Sequence, residues 1–323
     1  MSPLETWLET ARSKGMPWRT ALSEQLGDAP SGWRKFAKRM IWPRRLRHMS
    51  YIPHGVTMEI GENREWTIFK NQTVVTRSVP LLELIPQLVH PVTIVATGPS
   101  ARHYPWENLR QDQRFIVAVN GAPTLLKELD ITPNLLVVTD REFARTGAHH
   151  LAAAPSRPLV IEYLAAAALA STAPQILAER PFAIIERVNL WHALPALNID
   201  TLRQWNRASG DVFVLPEAID PKCRIGWSNR PELGIFSGRT VVFGALQIAI
   251  AQGAKDLEIV GMDLGGLQRV YAEISARPSQ LELHYDDFIL PAFELMSRAL
   301  AGSGVIVRNI SPVCPLPRSI FSD

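Results

Sequence analysis

Small and polar residues recur wherever a short apolar run of this chain ends: Thr97-Gly98-Pro99-Ser100, Asn120-Gly121, Thr139-Asp140 and Gly261-Met262-Asp263. Glycine lets a ligand approach the backbone, while Ser100, Asn120 and Asp140 bring the hydroxyl, amide and carboxylate that can grip a nucleotide's ribose and phosphate. A further segment, Phe236-Ser237-Gly238-Arg239-Thr240, opens an apolar helical pattern over 241–252. Free backbone N–H groups and the helix dipole favour a phosphate there, helped by the Ser237 and Thr240 hydroxyls. Each turn taken singly is explained by ordinary turn chemistry. Four of them at related positions make a ligand site the better reading. There is no Walker sequence ending in Gly-Lys-Ser/Thr and no Gly-x-Gly-x-x-Gly turn after the first strand, so P-loop and NAD readings lose support.

The elements that must position these residues follow a strand-then-helix rhythm. Val- and Ile-rich runs at 92–96, 115–119, 135–138, 159–161, 182–185, 257–260 and 305–307 read as buried parallel strands. Helical patterns lie between them at 122–129, 141–153, 164–179, 240–252 and 283–300. The series predicts an α/β fold with a doubly wound, mostly parallel, Rossmann-like sheet, whose ligand sits at the carboxyl ends of the strands. The stretch 189–233, rich in Trp, Asn, Pro and Arg and without clear periodicity, reads as a lid or insertion over the site. Short β-like runs at 57–60, 66–69 and 73–75 place a small β or α+β piece ahead of the main domain, giving an N-terminal extension over 1–88 and a main domain over 89–323.

With 323 residues and 46% hydrophobic composition, the chain is too apolar for disorder and long enough for one α/β core plus an accessory part. Its two cysteines, Cys223 and Cys314, form no spaced cluster, which argues against a disulfide framework, a Cys-based zinc site or an iron–sulfur centre. No metal site is expected. No run reaches the roughly 18 apolar residues of a membrane span, and Glu5 and Glu9 stand where a secretory signal needs a basic start. Export is therefore not expected.

Net charge is +3, but it is unevenly spread. No acidic residue lies between Asp28 and Glu59, where Trp33, Arg34, Lys35, Phe36, Lys38, Arg39, Met40, Ile41, Trp42, Arg44, Arg45 and Arg47 cluster. Basic side chains attract anionic phosphates and aromatic ones favour the headgroup boundary, so the segment over 30–50 suits a helix lying on an anionic membrane surface, ended by Pro43. A nucleic acid would also attract it, and a solvated basic helix is the plainer reading. The membrane is the partner expected here.

The order and spacing of Thr97-Gly98-Pro99-Ser100, Val119-Asn120-Gly121, Ser237-Gly238 and Gly261-Met262-Asp263 resemble the bacterial sialyltransferase group that uses CMP-activated sugars. The runs 116–122, 137–141 and 245–249, the last leading to Asp263-Leu264, resemble still more the lipopolysaccharide inner-core Kdo III transferases. The likeness covers about 91–315 and omits the basic N-terminal part. It implies transfer of a 2-keto sugar acid, Kdo or a relative, from its CMP conjugate to the lipid A–inner core, with no cofactor and no metal at the transfer step. It places Gly98, Ser100 and Asn120 at the CMP moiety, Ser237 and Gly238 at the donor, and Tyr271 at the phosphate, while Thr97, Gly121, Asp140 and Thr240 join the donor- and CMP-binding residues by their places at the strand ends and the helix start. It also sets His284 where the sialyltransferase base stands, with Asp286 or Asp287 to orient it, and His192 and Asp263 in reserve. This chain has Thr97 where those enzymes commonly have Asn and Gly265 where they place a second Tyr, leaving Arg269 as a candidate phosphate ligand.

The resulting expectation is a cytoplasmic enzyme peripherally associated with the inner membrane, drawn by its basic segment to a phosphorylated lipid acceptor. The alternatives are a transferase of sialic acid or another nonulosonic acid, a pterin pyrophosphokinase-like enzyme needing magnesium and carboxylates such as Asp140 and Asp263, and a non-catalytic membrane-associated nucleotide binder.

Overall fold

Strands β1 Val56–Ile60, β2 Trp66–Lys70 and β3 Thr73–Arg77 pair as an antiparallel meander ahead of the main sheet in this computed structural model. It describes residues 5–9, 48–49, 51–107, 109, 113–220, 222–265, 269–270 and 281–322. Next come β4 Val92–Val95, β5 Phe115–Val119, helix α1 Ala122–Glu128, β6 Leu135–Val138, α2 Arg141–Thr146, β7 Leu159–Glu162, α3 Tyr163–Thr172 and β8 Phe182–Ile185. The chain continues through α4 Ile199–Ala208, β9 Phe213–Val214, β10 Trp227–Ser228, α5 Val241–Ala251, β11 Asp256–Val260, α6 Leu290–Leu300 and β12 Ile306–Asn309.

The seven expected strands form one parallel sheet in the order β12-β11-β4-β5-β6-β7-β8. Both faces are covered, which is why the strand sequences are almost continuously apolar. Ile94, Val117, Val119 and Val137 pack toward α5 and α6 on one face, while Val95, Ala118, Leu136 and Val138 pack toward α1 and α3 on the other. Helices α3 and α5 are themselves buried over most of their length and therefore carry no polar stripe. From β4 the chain lays down β5 to β8 on one side, then returns through α5 to place β11 and β12 on the other. The order reverses at β4 and β11, and such a reversal opens a crevice at the strand ends.

Three helices differ from their expected extents, each for a local reason. The pattern over 141–153 divides at Gly147 into α2 and a turn at Ala148–Leu151. That over 164–179 divides at Pro174, which lacks the N–H needed to continue α3. The last begins as a 3₁₀ turn, Glu282–His284, and a π turn, Tyr285–Ile289, before α6 starts. Pro291 lies in the first turn of α6, and its ring would crowd the carbonyl four residues back, so the preceding turn widens.

The aperiodic stretch 189–233 contains α4 and the antiparallel pair β9–β10, and its Trp191, Phe213 and Trp227 are fully buried. Two buried amides pin it down. Asn206 donates to the Phe213 carbonyl at 2.7 Å and accepts from the Phe213 N–H at 2.8 Å. Gln247 of α5 accepts from the Ser228 and Phe236 N–H groups at 3.2 and 3.0 Å and donates to the Phe236 and Phe243 carbonyls at 2.8 and 3.0 Å. Trp7 packs edge-on against Trp191 and Trp205, at centroid separations of 5.8 and 4.6 Å. Trp66 stacks on Tyr163 of α3 at 6.5 Å, which seats the N-terminal meander on the main domain.

The basic segment bearing Trp33, Arg34, Lys35, Lys38, Arg39, Trp42, Arg44 and Arg45 lies outside the described residues. Among the described residues, no helix is long and apolar enough to cross a membrane.

Gln247→Leu keeps the side chain's volume but leaves the Ser228 and Phe236 N–H groups without acceptors in a dry interior. Urea unfolding is expected to show a loss of about 2–4 kcal/mol, on the usual cost of orphaned buried donors; an unchanged midpoint would show that the insertion does not depend on this amide.

Candidate functional site

At the sheet's reversal, one carboxylate joins the segments that follow β4 and β11. Beyond β4, the Gly98 N–H donates to the Gly261 carbonyl at 2.8 Å, holding the two strand ends together. Asp263, 6% exposed, then accepts from the Ser100 backbone N–H at 2.9 Å and from the Ser100 hydroxyl. A Cβ on Gly98 would lie 2.5 Å from Asp263 Oδ2 and 2.5 Å from the Gly261 carbonyl oxygen, so only glycine allows this approach. Asp263 is thereby engaged in architecture, while the lone pairs of the Ser100 hydroxyl remain to accept. The Thr97 carbonyl accepts from the Val270 N–H at 3.0 Å, and Arg269 is half-buried. Tyr271 lies outside the described residues.

At the end of β5, Asn120 takes a left-handed backbone conformation (φ +49°) while its N–H donates to the Val137 carbonyl of β6 at 3.1 Å. Its side-chain Oδ1 is buried and makes no hydrogen bond. An unusual backbone angle and an orphaned carbonyl at the end of a strand are both costly, and together they fit an acceptor waiting for a ligand's hydroxyl or amine. Gly121 is buried beside it at the start of α1. One strand further, Asp140 is exposed and caps α2, accepting from the Glu142 and Phe143 N–H groups at 2.8 and 3.3 Å.

Ser237, Gly238 and Thr240 form the loop leading into α5. Gly238 (φ +46°) donates to the Arg224 carbonyl at 2.9 Å, and a Cβ there would meet the Phe243 ring at 2.6 Å. Thr240 occupies the capping position of α5, yet its hydroxyl makes no capping bond; its carbonyl accepts from the Phe243 N–H at 3.2 Å, which leaves the N–H groups of Val241 and Val242 to another acceptor. The first turn of α5 approaches the end of β6: a Cβ on Gly244 would lie 3.4 Å from the Thr139 methyl.

Three arginines and His284 crowd this same region. Arg187 donates to the Thr139 carbonyl at 3.1 Å and faces the buried carboxylate of Glu162 at 3.7 Å. Arg224 pairs with Asp220 at 3.3 Å, and its guanidinium lies 3.7 Å from the centroid of the Phe288 ring, with that of Arg239 at 5.8 Å. Arg239 donates from Nη2 to His284 Nε2, so the imidazole is the neutral form with its proton on Nδ1. Burial, followed by the charges of Arg239 and Arg224, holds the His284 pKa below its ordinary value. Burial, followed by Arg224 and Arg187, likewise lowers that of Arg239.

The structure therefore brings Gly98, Ser100, Asn120, Gly121 and Asp263 together around the reversal and its neighbouring strand, with Thr139, Asp140, Ser237, Gly238, Thr240 and His284 on the α5 side. His192 is elsewhere. It donates from Nε2 to the Met58 carbonyl at 3.0 Å and is walled in by Trp66 and Tyr163, at 5.2 and 5.6 Å. Asp286 and Asp287 are exposed, and Arg239 is the side chain in contact with the His284 ring nitrogen. Sequence reasoning named Ser237 and Thr240 but assigned nothing to Arg239 between them, nor to Arg187 and Arg224. A lone loop arginine has no periodicity to mark it, and only the fold shows three converging. Among the described residues, no group of His, Cys, Asp and Glu side chains is arranged to hold a metal ion.

No protein-family model and no curated protein matches the chain. Among solved structures, it is similar to the MAf glycosyltransferase from Magnetospirillum magneticum AMB-1, with 15% identity and a TM-score of 0.40 over 72% of this chain and 33% of that one. The chain thus spans about a third of that protein's length. It is also similar to the sialyltransferase CST-II in complex with a trisaccharide acceptor and CMP, with 12% identity and a TM-score of 0.35 over 72% and 88% of the two chains. The sialyltransferase CstII from Campylobacter jejuni, in complex with the substrate analogue CMP-3FNeuAc, gives 11% identity and a TM-score of 0.35 over 73% and 89%. Likeness at that level assigns no activity.

An NMR titration of the histidines should place the His284 midpoint below the ordinary value of about 6.5. Arg239→Gln removes a neighbouring positive charge, so the midpoint should move upward, toward more ready protonation. An unmoved midpoint would mean that Arg239 does not hold the ring.

Proposed function

We propose that the chain is a glycosyltransferase that transfers a 2-keto sugar acid, Kdo or a close relative, from its CMP conjugate to a hydroxyl of the lipopolysaccharide lipid A–inner core. The observation that carries this reading is the arrangement along the strand ends: a clamped crevice with an orphaned Asn120 carbonyl for a nucleotide, followed by a basic region with a neutral imidazole for the group being transferred. The ordered motifs resembling the CMP-sugar transferases support the same reading.

The chemistry requires the acceptor hydroxyl to attack the anomeric carbon as the bond to the CMP phosphate breaks. CMP leaves with the electron pair, and the hydroxyl's proton passes to a base. His284 is neutral, and its Nε2 lone pair becomes available once the Arg239 guanidinium turns to another acceptor. Charge developing on the departing phosphate is met by Ser237, Gly238 and Thr240, the first turn of α5 and Tyr271. Gly98, Ser100 and Asn120 hold the nucleotide, with Thr97, Gly121 and Asp140 around it. The basic aromatic segment over 30–50 draws the enzyme to the anionic inner leaflet where its acceptor lies.

The pyrophosphokinase alternative depends on carboxylates free to hold magnesium. Asp140 is engaged in capping α2 and Asp263 in clamping Ser100, which favours the transferase reading.

Assayed with CMP-Kdo and a lipid A–core acceptor, His284→Ala should lose about two to four orders of magnitude in turnover while still binding CMP. Near-wild-type turnover would remove His284 from the chemistry. Absence of transfer by the wild-type protein to any such acceptor, despite CMP binding, would favour a non-catalytic nucleotide binder.

A further inference from the structure

We infer that Arg187, Arg224 and Arg239 form a receptor for a single oxyanion, a carboxylate or phosphate carried by a substrate, at the end of β6 beside the nucleotide crevice. The three guanidiniums come from separate parts of the chain: the end of β8, the insertion, and the loop before α5. Bringing like charges together is unfavourable unless something opposite in sign compensates them. The protein compensates them incompletely. Asp220, the partner of Arg224, also accepts from the Lys222 and Arg224 backbone N–H groups at 2.8 and 3.0 Å. Glu162, the partner of Arg187, stands 3.7 Å away, and its Oε2 caps α3 through the Leu164 and Ala165 N–H groups at 3.1 and 3.3 Å. Burial raises the Glu162 pKa, which weakens its grip on Arg187.

Arg239 is the clearest case. Among the described residues it has no carboxylate within ion-pair distance, its buried Nε has no hydrogen-bond partner, and its Nη2 is given to a neutral imidazole. A cluster serving only to hold the fold together would be expected to pair each of its cations. The side chains of Arg187 and Arg224 are each 27% exposed, so a ligand can reach them. Phe288 lies against two of the guanidiniums, its ring centroid 3.7 Å from that of Arg224 and 5.8 Å from that of Arg239. A planar, pre-oriented fork suits the bidentate recognition of carboxylate or phosphate. An anion that takes up the Arg239 Nη2 proton donor leaves the His284 lone pair open to a hydroxyl, so occupation of the receptor and readiness of the base are coupled.

Assigning the oxyanion to a sugar substrate rests on the transferase reading, whereas the anion site itself does not. Calorimetry on the full chain separates the two, using CMP, CMP-N-acetylneuraminic acid and inorganic phosphate as probes, with wild type, Arg224→Gln and Arg239→Gln. If the donor supplies the anion, both variants bind CMP as wild type does but bind CMP-N-acetylneuraminic acid about tenfold or more weakly, as expected for lost charge-assisted hydrogen bonds. If the acceptor supplies it, both nucleotides bind the variants normally, and the CMP-saturated variants lose the phosphate binding that wild type shows. Arginine-dependent phosphate binding by a wild-type protein that ignores CMP would uphold the receptor and overturn the transferase reading. Equal affinities of wild type and both variants for CMP-N-acetylneuraminic acid and phosphate, or failure of wild type to bind either, would overturn the receptor. Arg224→Lys, which keeps the charge but not the fork, should recover part of the affinity, and a thermal midpoint matching wild type confirms that each variant is folded.

Discussion

The carboxylate of Asp263 joins the two strand ends at which the order of the sheet reverses, and the geometry of the site depends on that join. A parallel sheet covered on both faces is built by right-handed crossovers first over one face and then over the other, and the chain leaves a gap where the direction of addition changes. Here the gap lies between β4 and β11. The Gly98–Gly261 backbone bond narrows it, and Asp263 fixes Ser100 at its rim through a backbone and a side-chain donor. A glycine at 98 is the condition for this approach, because any Cβ would collide with the carboxylate it serves.

From that fixed point the site extends sideways along the strand ends and changes character. Near β4 and β5 it is small and polar, with an acceptor left open on Asn120. At the end of β6 it becomes cationic, since Arg187 reaches across from the end of β8, Arg224 is supplied by the insertion and Arg239 by the loop before α5. The buried Gln247 links these parts. By holding Phe236 and Ser228 to α5, it sets the path of the loop that presents Ser237, Gly238 and Arg239. The insertion therefore completes the basic end of the site as well as covering part of the core.

Much of this architecture is legible in the sequence. Each of the seven Val- and Ile-rich runs is a strand of the central sheet, because strands buried on both faces have no polar positions to blur the pattern. The helix interruptions at Gly147 and ahead of Pro291 escape periodicity but not local backbone chemistry. The insertion is harder: α4 buries few positions and leans on Asn206 and a tryptophan cluster, contacts that no periodic signal encodes. The strand-end residues Gly98, Ser100, Asn120 and Asp263 are visible as small or polar stops after apolar runs. Their division of labour, with Asp263 as a clamp and Asn120 as an open acceptor, depends on which oxygen finds a partner in three dimensions. The arginine cluster was not legible, because its members are separated by 37 and 15 residues of chain and meet only through folding.

The central claim is that the strand ends around Ser100 and Asn120 hold a nucleotide. The most direct measurement is an amide NMR titration of the ¹⁵N-labelled protein with CMP, run without added metal. The account predicts saturable shifts concentrated at Gly98, Ser100, Asn120 and Gly121, with smaller ones in the loop Ser237–Thr240. Saturable shifts confined to other parts of the chain, or none up to millimolar CMP, would contradict it.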